Sequence, residues 1–490
     1  MILLTDFKHK QILVLGVGIT GLSCARYLSA QGLCFAVNDS RADPFAANYS
    51  KQQFNDDFPT ASLHLGKWHS ELISNADIIL ISPGIDDTIA EIAQHISADC
   101  RVMGDVELFC QINNQRDFTS QSKPIDILAI TGSNGKSTVV SLLASLAENL
   151  GINAQLGGNI GQPVLDIFTE EQKLDTTATH KVLPELLILE LSSFQLETLT
   201  SMQALATSVL NVSDDHLDRH LSMVNYQRIK QRIYHQGKWA ITNRDDVATQ
   251  TPNQSQKVLS FGSDRPKENE FGIIHLDGKT EREAKAYLAF GGQALIAIEQ
   301  LPLAGMHNAL NYLAALALGY SAGWSLTAMI EQLTRFTGLA HRCQRVVSKD
   351  NIIWINDSKA TNVGATLAAI NGLAPTLTSP GKVKQRLILI AGGDGKGADF
   401  SPLTKPFAEH VSVVITFGKD GDKIADLAKL VTTTNRVSSL VDAVQAAKAN
   451  ANDGDTVLLS PACASLDMFK NFAERGEQFI TAVLDLAEAS

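Results

Sequence analysis

Short, continuously apolar runs recur along the chain, each ending in a glycine-rich or polar turn, and they are separated by stretches with helical spacing of apolar residues. A run of four or five apolar residues without polar alternation is buried on both faces, as strands of a parallel sheet flanked by helices are. Near the start, Gln11-Ile12-Leu13-Val14-Leu15 leads into the helical pattern Leu22 to Leu28, Cys34 to Val37 ends on Asp39, and Ile78 to Ile81 runs into Ser82-Pro83-Gly84-Ile85. A second group contains Ile127 to Ile130, the helix-like Val139 to Leu143, Leu186 to Leu191, Ser208 to Val212, the amphipathic stretch Tyr226 to Tyr234, and Trp239 to Thr242. Thr249 to about Glu270 is polar and reads as loop, and Leu303 to Asn311 opens another helix. The last group is Ile352 to Ile355, Leu387 to Ala391, Val413 to Phe417 and Thr456 to Ser460. Linker composition from Asn113 to Lys123 and the turn beginning at Gly338 divide these groups into residues 1–114, 115–338 and 339–490. Three domains also agree with a chain of 490 residues at roughly 150 residues per domain.

Composition sharpens this picture by exclusion. A hydrophobic content of 44% with 19% charged residues supports true cores, and a net charge of −11 argues against a general nucleic-acid binder. Phosphate binding, if present, must therefore be local. The six cysteines form no C-x-x-C pair and read as reduced thiols of a cytoplasmic protein. Met1 to Lys10 carries Asp6, Lys8 and Lys10 and reads as no secretory signal. No charged residue falls between Glu299 and Glu331, but Pro302, His307, Asn308, Asn311 and Gly319 interrupt the stretch, which reads as two buried helices and not as a membrane span.

Chemistry concentrates in the turns after the strands. Ile130-Thr131-Gly132-Ser133-Asn134-Gly135-Lys136-Ser137-Thr138 is a strand, a glycine-rich loop and a helix start, which aims backbone N–H groups, an ammonium and a hydroxyl at one point. That point suits a polyphosphate with magnesium. The general pattern would place glycine at 130, where this chain has Ile130. Gly16-Val17-Gly18-Ile19-Thr20-Gly21 follows the first strand and admits a second phosphate-bearing ligand, with Asp39 placed to accept from a ribose. Glu190, at the end of its strand beside the phosphate loop, is placed as a magnesium ligand. His216 lies in a charged loop, and Lys230 reads from composition as surface charge on its helix. Asn308 and Asn311 share one helix face and can read an adenine edge or cap the helix. The loops Asn356 to Asn362, Gly392 to Asp399 and Pro461 to Asp467 are crowded with groups able to hold a ligand. The fold class expected is α/β in three domains: a Rossmann-like N-terminal domain, a P-loop mononucleotide-binding central domain with a mainly parallel sheet, and a Rossmann-like C-terminal domain. Together these imply ATP-driven joining of two substrates, in which phosphoryl transfer to a carboxylate prepares it for attack by an amine.

Thr131 to Thr138, Gly157 to Gly161, Glu190 to Gln195, Asp215 to Arg219, His307 to Asn311, Asp357 to Gly364 and Ser460 to Phe472 resemble, in order and over the whole chain, the motif series of the Mur ligase family. The resemblance is strongest to members that add D-glutamate to a peptidoglycan precursor. It implies the substrates UDP-N-acetylmuramoyl-L-alanine, D-glutamate and ATP, two magnesium ions, an acyl-phosphate intermediate, and a cytoplasmic enzyme without nucleic-acid or membrane partners. A monomer is the default expectation. By the resemblance, Gly132, Ser133, Asn134, Gly135, Lys136, Ser137 and Thr138 hold the ATP phosphates, and Ser137, Glu190, His216 and Lys230 serve the metals, Lys230 as a carbamate. Lys136, Glu190, His216 and Lys230 are the catalytic set. Asn308, Asn311, Arg342 and Asp357 hold adenine and ribose; Lys359, Thr361, Lys396, Ser465 and Phe472 hold D-glutamate. Ile19, Thr20, Asp39, Ser40, Arg41 and Gly84 bind the UDP moiety, and Asn159 the muramoyl part. Alternatives are another amide ligase of the family, including a folate-extending one, a nicotinamide-dependent oxidoreductase built on Gly16 to Gly21, and a regulatory ATP-binding module.

Overall fold

The computed structural model describes residues 7–45, 49–116, 123–174, 183–215, 217–251, 256–276, 285–303, 305–336, 338–373 and 386–488. Three sheets carry the chain, and its compact units are two: Met1–Val212 with His216–Phe261 and Ala314–Met329, and Ser213–Asp215 with Gly262–Leu313 and Ile330–Ser490.

In the first unit, the N-terminal sheet runs Ala61–Leu65, Phe35–Asp39, Ile12–Leu15, Ile78–Ile81, Arg101–Met103, all parallel. The chain order reverses at Ile12–Leu15 and Ile78–Ile81, so the crevice for a ligand opens at their carboxyl ends. Glycine is required at two positions after Ile12–Leu15, on one side of that crevice. Gly16 has φ +96°, and a Cβ there would come within 2.8 Å of Ser82 Oγ and Ile85 Cδ1. A Cβ on Gly21 would lie 1.9 Å from the Gly16 carbonyl oxygen, so only glycine lets the helix Ile19–Ala30 sit this close to its strand.

The same unit holds six parallel strands in the order Lys257–Phe261, Gly237–Asn243, Ala204–Val209, Asp126–Thr131, Leu186–Glu190, Ala154–Gly158. Ile130 is fully buried inside its strand and registers with Glu190 and Ser208, which is why glycine is not needed at that position. The helix Ile19–Ala30 packs on Val164–Leu174, where Ser23 Oγ (3.0 Å) and the Arg26 guanidinium (3.0 and 2.6 Å) donate to Asp166. Glu107 accepts from the Thr200 and Ser201 backbone N–H groups at 2.7 and 2.9 Å, a second brace between the two sheets.

In the second unit, Phe271–Leu276, Lys285–Phe290 and Gln293–Ala297 pair antiparallel. The C-terminal sheet is ordered Gln344–Val346, Ile353–Asn356, Thr456–Leu459, Leu387–Gly392, Val411–Phe417, Thr433–Arg436, parallel except for its first strand. The two expected helices are present as Met306–Ser321 and Leu326–Gln332, each shared between the two units, but only the first is largely buried, since Met329 alone is buried in the second. Among the described residues no helix is long and apolar enough to cross a membrane. One expectation fails: the polar span beginning at Thr249 contains the strand Lys257–Phe261. Only Leu259 and Phe261 are buried in it, so its solvated residues break the continuous apolar run that marks a central strand.

Candidate functional site

Asp126–Thr131 delivers the loop, Gly132 takes φ +153° and Gly135 +82°, and the helix Lys136–Asn149 starts directly after. A Cβ on Gly132 would press on Leu210 at 3.1 Å. The loop is clamped by Asn211, which sequence reasoning did not single out. Its Oδ1 accepts the Asn134 N–H at 2.8 Å, its Nδ2 donates to the Asn134 carbonyl at 3.1 Å, and its carbonyl takes the Ser133 N–H at 2.9 Å. Its position just past the end of the neighbouring strand was the available signal. Lys136 Nζ donates to the carbonyls of Gly132 (2.7 Å) and Ser133 (2.8 Å), which holds its charge over the loop. Ser137 and Thr138 are buried at the first turn.

Lys230 corrects the compositional reading of a surface charge. It is 1% exposed, and its Nζ donates to the Gly132 carbonyl at 3.0 Å and lies 4.5 Å from the Tyr226 ring centroid. Periodicity could not show this, because the helix Met223–Gln231 turns its last residues toward a loop almost a hundred positions earlier. Two ammonium groups therefore converge on one carbonyl, an arrangement that favours a bound anion.

Glu190 is 2% exposed; its Oε1 accepts from Asn159 Nδ2 at 2.9 Å, and its Oε2 has no hydrogen-bond partner among the described residues. A buried carboxylate oxygen left open beside a phosphate loop fits a magnesium ligand, since magnesium is held by one or two carboxylates together with substrate phosphates. Asn159 is fixed by its own N–H to the Glu190 carbonyl (2.8 Å), and Gly158 must be glycine because a Cβ would come within 2.2 Å of that same carbonyl. Among the described residues no three His, Cys, Asp or Glu side chains cluster as a ready-made metal cage. His216 lies outside the described residues.

At the N-terminal crevice, Ile19, Ser40, Arg41 and Gly84 are exposed and Thr20 is half-buried. Asp39 is buried, accepts the Val17 N–H at 2.9 Å and pairs with Arg41 at 2.7 Å. Burial opposes its charge, yet the bonds from Arg41 and Val17 hold its carboxyl below the ordinary value. Asp39 thus shapes the turn and orients Arg41.

In the second unit, Asn308 and Asn311 are buried on one face of Met306–Ser321, with Asn311 Nδ2 3.3 Å from Asn308 Oδ1. Asp357 accepts from Ser460 Oγ (2.9 Å) and the Cys343 N–H (3.2 Å), and burial pushes its carboxyl up to about 7. A carboxyl raised in the folded state stabilises the fold below its ordinary value, here 3.8, and loses that contribution as pH rises through about 7. Asp357→Asn should accordingly gain in melting temperature over the unaltered protein from about pH 4.5 to about pH 8, as read by calorimetry; a gain that does not change with pH excludes this assignment.

Lys359 Nζ lies 3.6 Å from the Phe472 ring centroid, so these two expected D-glutamate residues stand together. Ser465 is buried on the loop beyond Thr456–Leu459, Thr361 is half-buried beside Lys359, and Arg342 is half-buried. Lys396 sits on an exposed turn with φ +51°, its N–H bonded to Asp394 Oδ1 at 3.0 Å. Arg475 was missed. Fully buried, it donates to the Ser358 carbonyl at 2.8 Å and the Cys463 carbonyl at 3.1 Å, tying the loop that carries Lys359 to the loop that carries Ser465. An arginine inside an amphipathic helix gives no warning of burial in sequence.

Three family models match consecutive parts of the chain: Mur ligase MurD-like, N-terminal domain at 10–104, Mur ligase middle domain at 130–319, and Mur ligase, glutamate ligase domain at 341–463. A UDP-N-acetylmuramoylalanine–D-glutamate ligase of Colwellia psychrerythraea is 58% identical over 480 residues, covering 98% of each chain. One from Marinobacter nauticus is 43% identical over 477 residues, covering 97% of this chain and 98% of its own. Among solved structures, the UDP-N-acetylmuramate-alanine ligase of Thermotoga maritima aligns with a TM-score of 0.58 at 16% identity, over 98% of this chain and 100% of its own. At that identity the likeness concerns the fold.

Proposed function

The chain belongs to the Mur ligase family, and from that premise we propose the reaction and the residues that carry it. The protein is a ligase of peptidoglycan synthesis that adds D-glutamate to UDP-N-acetylmuramoyl-L-alanine with ATP. The observation that carries this reading is the 58% identity to a D-glutamate ligase over 98% of both chains, joined to an intact phosphate loop. We assign domain limits at 114/115 and 338/339, a monomeric state and a cytoplasmic location.

The chemistry follows from charge. The substrate carboxylate attacks the terminal phosphorus of ATP and ADP leaves; the amine of D-glutamate then attacks the acyl carbon and inorganic phosphate leaves, giving the amide. Lys136 and the N–H groups of the Gly132 to Ser137 loop bind and orient the transferring phosphoryl group and offset its charge. Magnesium, when bound, supplies further charge neutralisation on the phosphates, and Ser137 and Glu190 hold it. His216 and Lys230 as a carbamate would hold a second ion. Carbamylation converts the Lys230 ammonium into an anion at the position where two cations now share one carbonyl. Asn308, Asn311, Arg342 and Asp357 bind adenine and ribose, and Lys359, Thr361, Lys396, Ser465 and Phe472 bind D-glutamate. Ile19, Thr20, Asp39, Ser40, Arg41 and Gly84 hold the UDP moiety, with Asn159 on the muramoyl part.

The deciding experiment is phosphate release from ATP with the UDP-muramoyl-alanine substrate and a panel of D-glutamate, L-glutamate, lysine and diaminopimelate. Turnover is expected with D-glutamate, and its absence there rejects the reading. For Lys230, activity should fall in bicarbonate-free buffer and recover on adding bicarbonate. Full activity without bicarbonate, together with an unmodified lysine by mass spectrometry, rejects the carbamate.

A further inference from the structure

Arg219 has no part in the chemistry above, yet it stands where the N-terminal sheet meets the phosphate-loop sheet. It belongs to the short helix Leu217–His220, and its side chain is only 13% exposed. Its Nη1 lies 2.6 Å from Asp86 Oδ1 and its Nη2 lies 2.7 Å from Glu197 Oε2, with Asp87 Oδ1 at 3.7 Å. Its guanidinium carbon is 5.9 Å from the Phe194 ring centroid. One cation thus joins three carboxylates from two domains. Asp86 and Asp87 follow directly on the Ser82-Pro83-Gly84-Ile85 turn at the crevice, and Asp86 is pinned there by the Thr88 N–H (2.8 Å) and hydroxyl (2.5 Å). Glu197 is on the helix Ser193–Thr198, which begins three residues after Glu190 and is locked at its start by a capping box between Ser192 and Gln195.

The contact does not end at Glu197. His220, 1% exposed, places Nε2 2.8 Å from Ser193 Oγ and Nδ1 3.4 Å from Glu197 Oε1. Its ring stacks on both Phe194 and Tyr226, with centroids 5.4 and 5.2 Å away. The Tyr226 hydroxyl lies 3.3 Å from Ser133 Oγ in the phosphate loop. A continuous set of contacts therefore runs from the crevice turn through Asp86, Arg219, Glu197, His220 and Tyr226 to Ser133.

We propose that Arg219 is a positioning residue that sets the crevice turn of the N-terminal domain in register with the phosphate loop, so that the carboxylate of the UDP-linked substrate arrives in line with the phosphoryl group. This rests on the assignment of the crevice to the UDP moiety. Other braces, among them Arg26 with Asp166 and Glu107 with Thr200 and Ser201, fasten the same domains away from this turn. Among the described residues, the contacts of Arg219 are ion pairs that reach Asp86 and Asp87, directly after the turn. The partners of Arg219 are Asp86, Asp87, Glu197 and the Phe194 ring, none of them assigned to the nucleotide phosphates or the reacting atoms, so its removal should leave binding intact and misplace the carboxylate. A displacement on the order of 1 Å costs about 100-fold in rate.

The test uses Arg219→Gln, Arg219→Lys, Asp86→Asn and the double variant Asp86→Asn with Arg219→Gln in the full-length enzyme. Asp86→Asn is isosteric and leaves Glu197 opposite the guanidinium, which keeps the test open if Arg219→Gln folds poorly. The expected result is a fall in kcat of about 10-fold to 100-fold in Arg219→Gln and a smaller fall in Arg219→Lys and Asp86→Asn. The Kd of the UDP-linked substrate and the KM for ATP stay within about threefold, and the double variant is no slower than Arg219→Gln, as coupled partners require. Unchanged kcat in folded variants, or additive losses in the double variant, overturns the inference. An unaltered enzyme that fails to turn over D-glutamate overturns the functional assignment and this inference with it, whereas turnover with unaffected variants overturns this inference alone.

Discussion

Lys136→Ala should lower D-glutamate-dependent phosphate release by about 1000-fold, equivalent to ~4 kcal/mol of transition-state stabilisation. The Gly132 and Ser133 carbonyls, at 2.7 and 2.8 Å, anchor the ammonium on the loop whose N–H groups are assigned to the transferring group, where its charge offsets the charge that develops. Lys230 cannot replace it. Its Nζ reaches the Gly132 carbonyl from the opposite helix and sits over the Tyr226 ring, on the strand side of the loop near Thr131 Oγ1. Calorimetry should show the UDP-linked substrate binding as before, because the N-terminal crevice is built from other strands. Activity within tenfold of the unaltered enzyme would sink the assignment and revive a purely regulatory role for the loop. Lys136→Arg should also be slow, since a planar fork does not occupy the position of a compact point charge.

Glu190→Gln is expected to have the second-largest effect, a loss of about 100-fold in kcat together with a magnesium requirement raised by about 10-fold to 100-fold. The substitution keeps the shape and leaves an oxygen for Asn159 Nδ2, so the turn after Gly158 stays in place. What disappears is the negative charge on the oxygen that has no hydrogen-bond partner among the described residues. A melting temperature near that of the unaltered protein, with weaker magnesium-dependent binding of an ATP analogue, is the pattern that separates a ligand from a structural carboxylate. An unchanged magnesium requirement would assign Glu190 to structure alone.

Much of this architecture was legible in sequence because central parallel strands are buried on both faces and therefore appear as uninterrupted apolar runs. Ile12–Leu15, Ile78–Ile81, Leu186–Glu190 and Thr456–Leu459 are fully buried along their length. Ala61–Leu65 and Lys257–Phe261 escaped because polar residues interrupt them: no residue of the first is fully buried, and only Leu259 and Phe261 of the second are. The phosphate loop was equally plain, since its glycines, lysine and hydroxyls are contiguous and their spacing is the chemistry.

Sequence by itself determined the fold class, the phosphate loop, the crevice glycines and, through the ordered motif series, the family. These are properties of neighbouring residues, governed by backbone sterics, helix termini and burial on a local element. Tertiary structure alone showed the surroundings of Lys230, Asn211, Arg475 and Arg219. Each is an ordinary polar residue in its own segment and acquires meaning from a partner far along the chain: Gly132 for Lys230, Asn134 for Asn211, Ser358 for Arg475, Asp86 for Arg219. The Glu190 oxygen without a hydrogen-bond partner among the described residues belongs with them, because an unmet hydrogen bond shows only in the folded chain.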